Sequence, residues 1–306
     1  MKKEVPRRSR ARSILLTVGA VLFVLIFILP LVLNDLDVDV GNVALIPING
    51  IITGDGASTL TTETISSLEV ADYIAQAGQD PQIEAIILEI NSPGGSAVAS
   101  DEIAEAIKQS EKPVIAVIRE VGASGGYWIA SATDHIIANR MSITGSIGVT
   151  SSYVEFGGLF EKYGVGYERL VSGKYKDIGT PYRELSDDER ALMQQKIDTI
   201  HSFFVEEVVR NRNLDEEAVR KLATGEIFLG VEAQQKGLVD QLGNIGTALS
   251  YLQETYGLEK TEIVVYQRQL SFLDLLSSVM SESSFHIGEG IGSMLVKAPA
   301  SSINLI

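Results

Sequence analysis

The chain has 306 residues, no cysteine, three histidines and a net charge of −15. Disulfides, thiolate metal sites and cysteine nucleophiles are excluded, and His135, His201 and His286 are too few and too scattered for a histidine-rich metal centre, so no metal is expected. Residues 1–12 carry six basic groups against Glu4, a local +5 that leaves −20 on the rest, and a body this acidic excludes nucleic acid as a partner.

Ile14 to Leu33 is an apolar run of 20 residues interrupted by Thr17, Gly19 and Pro30. At 1.5 Å per residue it matches a hydrocarbon core of about 30 Å. It is longer than the ~7–15 apolar residues of a cleavable signal peptide, and no small-residue cleavage site follows it. A transmembrane anchor over 13–33 is expected. The basic tail 1–12 precedes it and Asp35, Asp37 and Asp39 follow, which places the N-terminus in the cytoplasm and the body, residues 34–270, outside the membrane.

Val43–Ile48 reads as a first strand, with Pro47 marking an edge or a strand end. A polar loop over 53–62 leads to a helix over 64–77 with Ile65, Leu68 and Ile74 inward. Ile83–Ile90 is a second buried strand ending at Asn91-Ser-Pro-Gly-Gly95, followed by a helix over 97–109 and a third strand, Val114–Ile118. Strand, helix, strand at this spacing predicts a parallel α/β sheet. A Gly-x-Ser-x-Gly turn, Gly122 to Gly126, then enters a short helix. Beyond it come a strand at 135–138, a glycine turn at 144–149, a strand at 166–171 and a loop at 172–177. Ser186 and Glu189 form a capping box for a long helix with Met193, Ile197, Ile200, Phe204 and Val208 on one face, and His201 at its rim. Helices over 215–222, 231–235 and 245–256 and a strand over 262–266 complete the body. Residues 271–306 read as a poorly ordered tail with a short apolar helix near Phe272–Val279.

Three glycine turns, at 92–95, 122–126 and 144–148, each follow a strand of the same sheet, and ligands of parallel sheets bind at the carboxyl ends of strands. A serine at a strand-to-helix turn presents its hydroxyl, and small neighbours admit a carbonyl. Ser124 is therefore the candidate nucleophile, and the N–H of Gly94 or Gly95 with that of Gly125 the candidate oxyanion hole. None of the histidines is well placed as a base. A lysine base must have its pKa brought from ~10.4 to ~7–8, roughly 4 kcal/mol of environmental bias. Lys174 and Lys176 lie in a loop that other parts of the protein could cover, with Asp177 beside them as a charge that would oppose this.

Four segments in this order after one anchor, 91–96, 122–130, 144–149 and 172–177, resemble the short form of the signal peptide peptidase A family. The resemblance covers about residues 41–258. It implies a Clp protease- and crotonase-like fold of repeated ββα turns and a Ser/Lys dyad without cofactor. In it Ser124 is the nucleophile, Lys176 the general base, Ser146 the hydroxyl orienting that lysine, Gly94 the oxyanion turn and Gly125 the second donor. It also implies a membrane-bound endopeptidase degrading hydrophobic peptides, chiefly remnant signal peptides, and a homo-oligomer of eight subunits with sites completed at subunit contacts. The competing readings are a related membrane-bound Clp-class protease that cuts other membrane proteins and a catalytically silent oligomeric scaffold.

Overall fold

The computed structural model describes residues 18, 19, 21–28, 41–56 and 63–267. The chain divides into two units, 1–265 and 266–306, and of the second only Tyr266 and Gln267 are described. Val18, Gly19 and Val21–Ile28 are helical, the last five residues as a π-helix. Among the described residues no helix is long and apolar enough to cross a membrane. The rest of the expected anchor, loop residues 57–62, the tail from 268 with its expected helix, and His286 lie outside the described residues.

The first unit is built on an eight-stranded sheet whose main path runs β10–β1–β4–β5–β6–β9, all parallel. The strands are β1 (Val43–Asn49), β4 (Ala85–Ser92), β5 (Val114–Ala123), β6 (His135–Ala138), β9 (Gln241–Leu242) and β10 (Ile263–Val265). Two short strands branch from it: β7 (Ile143–Gly145) pairs in parallel with the end of β5, and β8 (Ile227–Leu229) pairs antiparallel with β7. A separate two-stranded sheet joins β2 (Ile51–Thr53) to β3 (Thr64–Ser66). Pro47 fits its place: β10 pairs with β1 only as far as Leu45, so at Pro47 that side needs no N–H donor.

Central strands buried on both faces read as continuous apolar runs, as β4 and β5 do. On one face Val43, Ile87, Ile115, Val117 and Ile137 pack against Ala248 and Leu252 of α8 (Ile245–Tyr256). The alternate side chains, among them Ile46, Leu88, Ile90 and Ile118, are fully or almost fully buried on the other face. There α1 (Ser67–Gln79) and α3 (Gly125–Ser131) pack on the sheet, with α2 (Ala97–Lys108) against both helices.

Two expectations need correction. Residues 64–66 form β3 rather than the first helical turn, because their backbones pair with 51–53; the helix starts at Ser67, capped by Ser66. Leu68 then points outward (66% exposed) and Val70, Ile74 and Ala77 carry the buried stripe. The strand expected at 166–171 does not form. The described chain offers it no pairing partner, and residues 161–176 are exposed throughout. Within this stretch only α4 (Gly157–Tyr163) is regular. The capping box of Ser186 and Glu189 opens α5 (Asp187–Arg212) as expected, and α6 (Glu216–Leu222) and α7 (Gly230–Gln235) follow. Only the second half of the α5 stripe is buried, at Phe204, Val205 and Val208, while Met193, Ile197 and Ile200 are half-buried.

Ile87 lies on the face covered by α8, with no exposed surface. Ile87→Ala is expected to lower unfolding stability by about 2–5 kcal/mol, measured by denaturant titration, because the rigid sheet relaxes little around the cavity.

Candidate active site

The site forms where β4, β5 and β7 end. β4 and β5 run in register from Ile86↔Val114 to Ile90↔Ile118, shift, and pair again at Ser92↔Gly122. The shift brings the Gly94–Gly95 turn alongside the Gly122–Gly126 turn. Ser124 follows β5 with φ 52° and ψ −121°, a strained conformation for a residue with a side chain, costing on the order of 1–3 kcal/mol. Its N–H donates to Gly145 O (2.9 Å) and its carbonyl accepts from Trp128 N (2.9 Å), so the turn is tied to β7 and to α3. Ser124 is the N-cap of α3, yet its hydroxyl makes no capping bond. The hydroxyl is left for chemistry.

Gly94, at φ 100°, lies against this turn so closely that a Cβ there would fall 2.6 Å from Gly125 N and 2.9 Å from Ser124 Cβ. A Cβ on Gly95 would fall 2.0 Å from Ile52 O, and one on Gly125 would fall 2.3 Å from Ser100 Oγ and 3.3 Å from Gly95 N. The two glycine turns are thus pressed backbone to backbone. Gly94 N donates to Ser92 Oγ (3.1 Å), while Gly95 N donates to no described group. Gly125 opens α3, where an amide has no intrahelical acceptor. The free donors beside Ser124 are therefore those of Gly95 and Gly125, and Gly94 supplies the bend. Ser92 was not singled out from sequence, although it stands inside the 91–96 motif. Thr144, whose Oγ1 donates to Gly122 O (2.7 Å), also escaped notice because hydroxyls that bond backbone carry no sequence signature.

Ser146 also has positive φ, 51°, and its N–H donates to Glu226 O (2.8 Å). Ala123 and Gly145 are register partners, so Ser124 and Ser146 leave neighbouring strand ends one residue later. The structure brings Ser124, Ser146, Gly94, Gly95 and Gly125 together.

Lys176 is not brought to them. It is exposed in the turn 172–179, its N–H donates to Gly173 O (3.2 Å), and its amine makes no hydrogen bond or ion pair with a described residue. Its neighbours are placed differently. Lys174 Nζ is 2.6 Å from Asp188, which together with Tyr175 holds that amine protonated well above the usual lysine range. Asp177 is claimed by Arg169 (2.6 and 2.7 Å) and Arg183 (3.3 Å), and the Arg169 hydrogen bonds, with those of Arg183, hold its carboxyl well below the usual range. That carboxylate is thus spent on arginines. Arg183 also grips Glu189 at 2.7 and 2.8 Å, fastening the loop to the start of α5.

The two described histidines are engaged elsewhere. His135 stacks on Tyr251 with ring centroids 3.9 Å apart, and His201 Nε2 lies 3.0 Å from Ala223 O. Among the described residues no group of acidic or histidine side chains could hold a metal.

The loop anchor gives a pH test. Glu189 has its pKa lowered from 4.5 to about 2, chiefly by the Arg183 hydrogen bonds and then by the Ser186 backbone. A depressed carboxylate pKa contributes stability that is complete above the unfolded value and is lost as pH falls through the folded one. Hydrogen exchange of residues 169–189, corrected for intrinsic rate, is expected to stay protected until pH falls from 4.5 towards about 2, whereas Glu189→Gln should lose that protection already at pH 7.

Comparison with known proteins gives the family. The family model of Peptidase family S49 matches residues 106–259, and that of Clp protease matches 58–148. A Methanocaldococcus jannaschii protein provisionally named protease MJ0651 is 33% identical over 219 residues, 71% of this chain and 70% of that one. An Enterococcus faecium protein provisionally named signal peptide peptidase SppA is 34% identical over 72% of this chain and 65% of its own length. The chloroplastic serine protease SPPA of Arabidopsis thaliana is 30% identical over 70% of this chain, which spans 32% of that protein. A mixed α/β chain with a Clp protease-like region, matched over half its length by this family, belongs to peptidase family S49 and is a serine protease.

Proposed function

We propose that the chain is a membrane-anchored endopeptidase that degrades apolar peptides, remnant signal peptides foremost, with Ser124 as nucleophile and Lys176 as general base. The observation that carries the reading is the strained Ser124 turn, with an uncommitted hydroxyl, facing the unengaged amides of Gly95 and Gly125. In the proposed reaction Ser124 Oγ attacks the scissile carbonyl while the neutral Lys176 amine takes its proton. The oxyanion of the tetrahedral intermediate is held by the two amides, and the lysine returns the proton to the leaving amine. Ser146, leaving the neighbouring strand end, would orient that amine. No cofactor enters.

A solvated lysine is a poor base at neutral pH, so Lys176 needs cover. Residues 153–182 expose Val154, Leu159, Tyr163, Val165 and Leu170, the last at 87%. A continuous apolar stretch of this kind on one chain fits burial against another copy. In this reading a homo-oligomer, eight subunits by the resemblance, brings the loop over a serine and desolvates its lysine. The apolar run 14–33 and the basic tail before it support an anchor with the catalytic body outside the cytoplasm. A body held at the bilayer surface meets apolar peptides where they accumulate.

The test is hydrolysis of a fluorogenic apolar peptide by the full chain. Ser124→Ala and Lys176→Ala are expected to fall to background and Lys174→Ala to keep activity, with kcat/KM of the parent rising with pH as the lysine amine loses its proton. Full activity in Lys176→Ala overturns the dyad. Gly94→Ala is expected to lower kcat by about 10²–10³-fold, the scale of a lost oxyanion donor, because its Cβ meets Gly125 N.

A further inference from the structure

Beside the catalytic turns a groove of about 540 Å³ opens between α2, α3 and α5. Helical periodicity builds its walls: Val98, Asp101 and Glu105 recur along one face of α2, and Ile200, Phe203 and Glu207 along one face of α5. Its inner end is Trp128, four residues beyond Ser124 on α3. Val98 (68% exposed) and Phe203 (54%) are open apolar side chains that meet nothing across the groove.

Two features separate this groove from an ordinary surface crevice. Trp128 is 5% exposed and packed at a tilt on Phe204 with ring centroids 4.7 Å apart, yet its indole N–H has no hydrogen-bond partner among the described residues, an uncommon state for a buried donor. The rim is also unbalanced. Glu105 and Glu207 share Lys108 (3.0 and 2.5 Å), and Glu207 also takes Arg210 (2.7 Å), but neither Asp101 nor Glu206 is paired among the described residues. Burial, followed by the neighbouring charges of Glu105 and Glu207, raises the Asp101 pKa, and Lys108 offsets this only in part.

We propose that this groove is a binding subsite for a basic, apolar peptide segment, with apolar side chains on Val98 and Phe203 and a Lys or Arg at Asp101 and Glu206, over the end that Trp128 closes. Charge complementarity selects that occupant: two unpaired carboxylates around an apolar floor fit a cation carried on an apolar chain. Trp128 lies four residues beyond Ser124, and Ala97 and Val98 of the groove follow directly on the Gly94–Gly95 turn, so the groove opens close to the proposed site. The identity of the peptide as substrate rests on the proposed peptidase reading; the binding itself does not. Substrates carrying a lysine or arginine next to an apolar stretch would be preferred.

The chain contains one tryptophan, so intrinsic emission reports directly on the groove. Full-length Ser124→Ala is titrated with a blocked Leu/Val peptide ending in two lysines, and with the same peptide ending in two glutamates. A saturable change in Trp128 emission, about tenfold tighter for the lysine peptide, is expected from two partly desolvated ion pairs. The difference should vanish in Asp101→Asn/Glu206→Gln, whose substitutions lie at the rim, while Phe203→Ala should weaken both peptides. Equal response to the two peptides, or no response, overturns the proposal. So does an emission that depends on protein concentration without peptide, since a second copy would then fill the groove. A response in Ser124→Ala with no hydrolysis by the parent chain would retain the groove and refute the peptidase reading. Hydrolysis indifferent to terminal charge, with silent emission, would do the reverse.

Discussion

No side chain fits between the Gly94 turn and the Ser124 turn. Their backbones approach until a single Cβ on Gly94 would meet the Gly125 amide at 2.6 Å. This approach turns two sheet-end loops into a site. It sets the Gly95 and Gly125 amides side by side and holds Ser124 at a φ that a free chain would seldom adopt. The strain is offset by the parallel sheet behind it, where β4 and β5 are paired over most of their length and buried on both faces. The register shift between Ile90 and Ser92 is what lets one strand end slide past the other. Rigid core, register shift and glycine contact form one chain of causes. Removing any link would leave an ordinary surface serine.

Much of this was legible in the sequence because local rules and tertiary demands agree there. Apolar runs bounded by glycine and proline gave the central strands, and Ser186 with Glu189 gave the start of the long helix. The glycine turns pointed to the site because little else than glycine tolerates such an approach. Where the reading departed from the structure, non-local pairing decided. Thr64–Ser66 look helical alone and become a strand only because Ile51–Thr53 lie beside them. Residues 166–171 carry a strand-like pattern with no partner to pair with. That the Gly94 N–H is taken up by Ser92 Oγ while the Gly95 N–H is left over is a detail that no residue pattern announces.

The lysine loop follows a different logic. Its local charges are settled, with Asp177 held by two arginines and Lys174 by Asp188, so that Lys176 alone keeps an uncommitted amine. The apolar side chains around it face outward in the single chain. A base that becomes competent only when another copy covers it would tie proteolysis to assembly, and an unassembled chain would carry a serine without a partner. The proposed groove beside Trp128 would add a second recognition element, with an acidic rim.

The central claim is that Ser124, at this strained turn, is the residue that attacks the peptide carbonyl. Incubating the full chain with a peptidyl fluorophosphonate and mapping the adduct by mass spectrometry tests it most directly. The account predicts a single covalent adduct on Ser124, absent when the peptide substrate is in excess and formed far more slowly in Gly94→Ala. An adduct on another residue, or undiminished hydrolysis after Ser124 is fully modified, would contradict it.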